Sequence, residues 1–293
     1  MDIGPHVFPT RKYSLIQAAL VQRGLFRSSD FIEPEPATWD DLALVHTGEY
    51  LAKMRDGTMS AEDIAQLQLP WSREMVEGFR VVVGGTVLAA KMVCGLHEFP
   101  IPNSKFSIHV GGGLHHAFPN HGEGFCPFND VAVAIRVLQQ KGIERAAVID
   151  LDVHHGNGTS FVFETDPRVF TFSMHQQHNY PMWKPRGSLD IGLPDGTHDE
   201  TYLKGLEGAL PVVMASNPQC VFYLAGADPY EDDQLGGLRL TREGLRRRDR
   251  FVMDTVRAAG IPLVITLAGG YARNVDDTVA IHVATIEEVT KKG

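Results

Sequence analysis

The sequence predicts an α/β fold with one parallel β-sheet covered by helices on both faces. Three observations lead there. From residue 106 onward, short runs rich in β-branched and aromatic residues alternate with longer helical patterns. The runs are apolar throughout, as in strands buried on both faces. Nearly every run also ends in polar, chemically capable residues, and open α/β sheets bind ligands beyond the carboxyl ends of their strands.

Taken in order, Tyr13 to Arg23 reads as an N-terminal helix, and the EPEPAT stretch at 33–38 as a loop leading to another short helix. Val81 to Val93 is the most apolar stretch, but it is too short and too glycine-broken to span a membrane. Phe99 to Lys105 is irregular. Strands are predicted at Phe106–Val110, Ala146–Asp152, Val169–Met174, Cys220–Ala225 and Leu263–Ala268. Helices are predicted at Asn129–Gln140, Glu200–Ala215, Arg242–Ala259 and Val275–Thr290. With no repeat or low-complexity segment, one domain over residues 1–293 is the expectation.

Hydrophobic residues at 43% and charged residues at 22% fit a soluble globular protein. A net charge of −9 without a basic stripe argues against nucleic-acid binding. Arg246, Arg247, Arg248 and Arg250 read as the solvated face of a helix. Cys94, Cys126 and Cys220 are odd in number and widely spaced, so they imply no disulfide framework and favour a reducing compartment. The opening MDIGPHVFP lacks a signal-peptide pattern. The expectation is a cytoplasmic protein, or a nuclear one in a eukaryote, with no membrane span.

The chemistry gathers at the strand ends. Asp150, Asp152 and His154 have the period-two spacing that puts side chains on one face of a strand, relaxing where the strand ends. Asp228 follows the Cys220–Ala225 strand directly. Asp152, His154 and Asp228 would give a catalytic zinc three protein ligands and an open position. The competing reading of such an aspartate is a cap on the next helix. Gly111–Gly113 lead into His115 and His116, a pair suited to acid–base work if oriented by carboxylates or amides. Asp150 and Asn157 are candidates for that, although two exposed loop histidines would look the same. Gly269 and Gly270 precede Tyr271, whose hydroxyl could donate to an oxyanion or merely line a rim. Phe125 and Tyr180 could wall an apolar channel or simply pack. Cys126 is set aside as a nucleophile, since a metal-activated water needs no thiol, and Asn129 reads as a helix cap.

These residues carry a resemblance. HVFPTRKYSLI, LVHTGEYL, HVGGGLHHAF, GEGFCPFNDVAVAI, VIDLDVHHGNGT, LAGADPYEDDQLGGL and LAGGY together resemble the histone deacetylase superfamily over nearly the whole chain. The segment Asp228–Leu238 and the short chain point within it to the class IV, eleventh-isozyme-like branch. The resemblance implies an arginase/deacetylase-type fold and Zn2+ held by Asp152, His154 and Asp228, with Fe2+ as a substitute. It assigns catalysis to His115, His116 and Tyr271, with Asp150 and Asn157 behind the histidines. Gly124 and Phe125 would form the tunnel wall, joined by Tyr180, Gly269 and Gly270 around the substrate. A structural K+ would involve Asp150, Asp152, His154, Ser173 and Met174. The implied reaction is hydrolysis of an acyl-lysine protein or peptide. The class IV likeness favours long acyl chains, and the small Ala268, Gly269 and Gly270 would permit a deep pocket. One departure stands out: Asn157 occupies a position where class I members carry Asp, which leaves His116 with less electrostatic support.

Other readings remain at this point. Small acylated amines such as acetylpolyamines would want an acidic gatekeeper, for which Glu231 or Asp232 could serve. A binuclear manganese ureohydrolase shares the fold but needs a further carboxylate where this chain has Tyr230. A silent acyl-lysine reader or a scaffold would not require the intact ligand set and Tyr271.

Overall fold

In the computed structural model, which describes residues 6–97 and 105–290, six strands form one fully parallel sheet. They are β1 Phe106–His109, β2 Ala146–Asp150, β3 Val169–Gln176, β4 Leu189–Leu193, β5 Cys220–Leu224 and β6 Leu263–Thr266, in the spatial order β1-β6-β5-β2-β3-β4. The helices are α1 Lys12–Gln22, α2 Trp39–Leu42, α3 Gly48–Asp56, α4 Ala61–Leu67, α5 Arg73–Val93, α6 Asp130–Gln140, α7 Asn157–Phe163, α8 Asp199–Ala215, α9 Arg242–Ala259 and α10 Val275–Thr290. This is the predicted α/β deacetylase-type architecture.

Alternate residues of each strand serve opposite faces. Val148, Phe222, Leu224 and Val264 join α5 and α6 in one core. Ala147, Ile149, Val221, Tyr223 and Ile265 join α8 and α9 in the other. The helices begin where side chains satisfy first-turn amides: Ser72 caps α5, Asn129 caps α6 as expected, and Thr241 caps α9. The chain runs outward from β2 to β3 and β4 on one side, and from β5 to β6 on the other. The crevice of this sheet therefore opens beyond β2 and β5.

Several boundaries differ from the expectation by a residue or two. Strand β2 stops at Asp150, so Asp152 and His154 lie on the turn beyond it. Strand β4 and helices α3, α4, α5 and α7 were not anticipated. The glycine-broken apolar stretch is the end of a continuous 21-residue helix. Its Gly84 lets the chain at Glu35 cross it: a Cβ there would sit 1.9 Å from the Glu35 carbonyl oxygen. Most of the irregular stretch after Phe99 lies outside the described residues. No helix among the described residues is long and apolar enough to cross a membrane.

The solvated arginine face needs correction. Arg246, Arg247 and Arg250 pair with Glu288, Glu200 and Glu288. Arg248 is fully buried, bonds Asp249, and donates to the Leu151 and Gly226 carbonyls at 3.2 and 2.7 Å. It shares the inner face of α9 with Leu245, Val252 and Val256.

Candidate active site

Asp152, His154 and Asp228 meet at the crevice, each buried, with one potential ligand atom apiece all within 4.8 Å of one another. Backbone amides aim the carboxylates. The Gly269 amide donates to Asp152 Oδ2 at 2.8 Å and the Val153 amide to Asp228 Oδ1 at 2.8 Å. Gly269 must be glycine, because a Cβ would fall 2.0 Å from Asp228 Oδ2. The remaining oxygen, Asp228 Oδ2, is buried with no well-formed hydrogen bond, His154 Nδ1 lying 3.4 Å away. Burial and the neighbouring Asp152 push Asp228 up to about 7. A buried carboxylate left this way is costly. A divalent cation between two carboxylates and an imidazole removes that cost, and the donor set suits zinc.

The paired histidines lie beside the triad. The loop Gly111–Leu114 that presents them is held by Asp130, which accepts from the Gly113 and Leu114 amides at 3.0 and 2.7 Å. Since a carboxylate only accepts, His115 Nδ1 donates to Asp150 at 2.7 Å. His115 and His116 approach through their Nε2 atoms at 3.1 Å. Burial disfavours a charge on His115, but Asp150 and Asp152 outweigh it and raise the ring to about 9. Burial, His115 and His154 all hold His116 well below its ordinary value. His116 Nδ1 lies 2.7 Å from the Asn157 side-chain oxygen.

Tyr271 faces the triad from the loop after β6, its ring centroid 6.5 Å from that of His154. Its amide donates to Asp233 at 2.7 Å. Burial, with Asp152 and Asp228 nearby, raises its hydroxyl well above the ordinary value and keeps it a donor. Lys12 stands behind this loop, fully buried, donating to the Ala268 carbonyl at 2.8 Å. Burial lowers its amine to about 8 against the pull of Asp228, Asp152 and Asp233.

Gly124 and Phe125 form a two-residue hairpin turn, with Glu123 and Cys126 bonded to each other across it. Both turn residues have positive φ, 53° and 68°, as this turn class requires. The turn aims the Phe125 ring at Phe8 and Tyr271, 6.0 and 6.1 Å away. Tyr180 stands perpendicular to His116 at 5.0 Å. Buried Cys126 lines the same channel, its thiol pushed up by burial.

All the residues expected around the metal and histidines are therefore brought together. Gly270 sits on the Tyr271 loop, and Asp150 pairs with Ser173 in the β2–β3 register, with Met174 next along β3. Ala268, one of the small residues expected around a deep pocket, lies against Gly113. Gly113 and Ala268 spend their smallness on packing their loops together, since a Cβ on Gly113 would lie 2.6 Å from that of Ala268. The channel over the triad, bordered by Phe8, Tyr13, Leu114, Phe125 and Tyr271, is narrow, about 20 Å³. Glu231 and Asp232 are exposed, and Asp232 pairs with Arg273. The sequence reading missed Asp130, Asp233, Lys12 and Glu123. Asp130 and Glu123 stood inside the quoted motif GEGFCPFND, where a carboxylate beside a glycine turn was the available signal.

The arrangement agrees with comparisons against known proteins. The family model described as "Histone deacetylase domain" matches residues 6–286. An uncharacterized protein of Picosynechococcus sp. is 40% identical over 279 residues, covering 94% of this chain and 90% of its own. Histone deacetylase 2 of Arabidopsis thaliana is 30% identical, covering 98% of this chain and 74% of its own. A crystal structure of a histone deacetylase homolog complexed with SAHA superposes with a TM-score of 0.82 at 26% identity, covering 95% of this chain and 78% of that one. A match that takes in the triad, the paired histidines and Tyr271 within one uninterrupted span places the chain in the histone deacetylase domain family.

Proposed function

We propose that this chain is a zinc-dependent amide hydrolase that removes acyl groups from lysine side chains of proteins or peptides. The carrying observation is the buried Asp152–His154–Asp228 triad beside two imidazoles that have different partners. A divalent cation there supplies Lewis acidity and lowers the pKa of water to about 7.

The chain's own groups do the rest. Phe125 and Tyr180 flank the substrate's aliphatic stem and keep water from it. Neutral His116 takes a proton at Nε2 and later returns it to the leaving amine. His115, held by Asp150, supports the negative charge that builds up nearby. Tyr271 donates its hydroxyl hydrogen to the oxyanion. The class IV likeness favours long acyl chains over acetyl. That branch placement rests on the Asp228–Leu238 segment. Fe2+ as a substitute for zinc, K+ near Asp150 and Ser173, one catalytic unit over residues 1–293 and a cytoplasmic location belong to the same proposal. Against a binuclear ureohydrolase, Tyr230 occupies the place of the extra carboxylate, and the metal cluster among the described residues has three members.

One peptide bearing acetyl, butyryl, octanoyl or myristoyl lysine, assayed alongside an acetylated polyamine, tests this. The long acids should be released fastest, activity should disappear with a chelator, and zinc should restore it. Acetate released faster than the long acids overturns the chain-length reading. Failure to cleave any peptide while cleaving the polyamine overturns the protein-substrate reading.

A further inference from the structure

Asn157 does not end the hydrogen-bond chain that starts at His116. Its amide nitrogen donates to Glu123 Oε1 at 2.7 Å. A carboxylate can only accept, so the amide's nitrogen must face Glu123 and its oxygen must face His116. That oxygen can only accept in turn, so His116 carries its hydrogen on Nδ1. The neutral ring then keeps a lone pair on Nε2, the atom that lies 3.1 Å from His115 Nε2. A neutral amide on its own would permit either orientation, and Glu123 removes the ambiguity.

Glu123 is itself firmly placed. The Tyr180 hydroxyl donates to Oε1 at 3.0 Å, and His121 and Gln66 donate to Oε2 at 3.3 Å each. The backbone of the following turn is docked on α4, through bonds from Gly124 and Phe125 to the Gln66 and Leu67 carbonyls. The side chain is only 15% exposed, and its four donors leave it little capacity to hold a substrate amine. Burial by itself would raise the carboxyl, but donors from His121, Asn157, Tyr180 and Gln66 together hold it below the usual carboxylate range. Glu123 is therefore a half-buried negative charge two hydrogen bonds from the general base.

We infer that Glu123 is a positioning residue for His116, supplying through Asn157 both the tautomer and the negative charge that a direct aspartate partner would supply. The inference rests on the hydrolase reading of this site for its kinetic consequences, and on hydrogen-bond geometry alone for the tautomer. The alternative is a clasp that merely ties Tyr180 and the hairpin in place.

A charge swap separates the two. Glu123→Gln keeps the shape and should lower kcat roughly tenfold or more with KM little changed. Asn157→Asp in the native background sets two carboxylates 2.7 Å apart and should also lower kcat. In the double variant Glu123→Gln/Asn157→Asp, the new amide donates to the new carboxylate, which pairs with His116 directly. The double variant should therefore be at least several-fold faster than either single one. A simple clasp predicts that the two losses multiply. Nitrogen-detected NMR of the zinc-loaded protein gives a readout independent of turnover. His116 should be the Nδ1–H tautomer in the native chain and a mixture in Glu123→Ala. An unchanged kcat in Glu123→Gln, a double variant no faster than the slower single one, or an Nε2–H tautomer in the native chain overturns the inference. A native chain inactive on every amide refutes the hydrolase reading instead, and the NMR result still decides the relay.

Discussion

Replacing Arg248 with Met should destabilise the protein by about 5 kcal/mol and loosen the metal site. The guanidinium is wholly buried on the inner face of α9 and pairs with Asp249 at 2.8 Å. Removing it leaves Asp249 buried with only the hydroxyls of Tyr223 and Thr285 as donors. Stranding one partner of a buried pair costs about 3–5 kcal/mol. The Leu151 and Gly226 carbonyls also lose their donor, at roughly 1 kcal/mol or more each. Those carbonyls lie next to Asp152 and two residues before Asp228, so the cost falls on the two turns that carry the triad. Urea unfolding of Arg248→Met, set beside Arg248→Met/Asp249→Asn, measures it. The double variant should recover more than half the loss, since it removes the stranded charge. Retained zinc after gel filtration should fall in the single variant. A loss under about 1 kcal/mol, or a double variant as unstable as the single one, would refute this account of the buried arginine.

Gly269→Ala should strip metal without unfolding the protein, because its Cβ would displace both triad carboxylates; full zinc occupancy by elemental analysis would contradict that. Tyr271→Phe should lower kcat by about a hundredfold or more with KM nearly unchanged, and unaltered turnover would remove Tyr271 from the reaction. Buried His46 accepts the Asn129 amide at Nε2 and donates from Nδ1 to the Phe118 carbonyl. Burial lowers it to about 4. The unfolded chain therefore binds the extra proton between about pH 6.5 and 4, and stability falls by up to about 3 kcal/mol as pH drops through that window. A His46→Gln variant should show a shallower fall in unfolding midpoint over the same range, and identical slopes would count against it.

The central strands and the helices α8, α9 and α10 were legible because each is long or apolar enough for its period to show. The triad was legible because its ligands sit next to strand ends, and a parallel sheet brings such ends to one edge. Helix α5 was hidden by Gly84 and Gly85, which look like helix breakers in isolation. They are there because the Glu35 backbone and the His109 ring press against them. Strand β4 reads LDIGL, half-exposed on the sheet edge, and lacks the continuous apolar run of its neighbours. Arg248 could have been placed from its spacing to Leu245, Val252 and Val256, but its charge suggested solvent. Glu123 could not be placed that way, because its partner Asn157 is remote in sequence and only the folded hairpin brings them together.

The sheet order also constrains how the protein is made. Strand β1 lies at the edge and pairs with β6, roughly 150 residues later in the chain. Helix α1 packs on α10, and Lys12 bonds to Ala268. On a translating ribosome strand β1 and helix α1 thus wait on the order of ten to fifty seconds for the partners that cover them. Their apolar surfaces meanwhile have only the nascent chain around them or a chaperone to lean on. Production in a cell should depend on chaperone capacity more than the finished fold's stability would suggest.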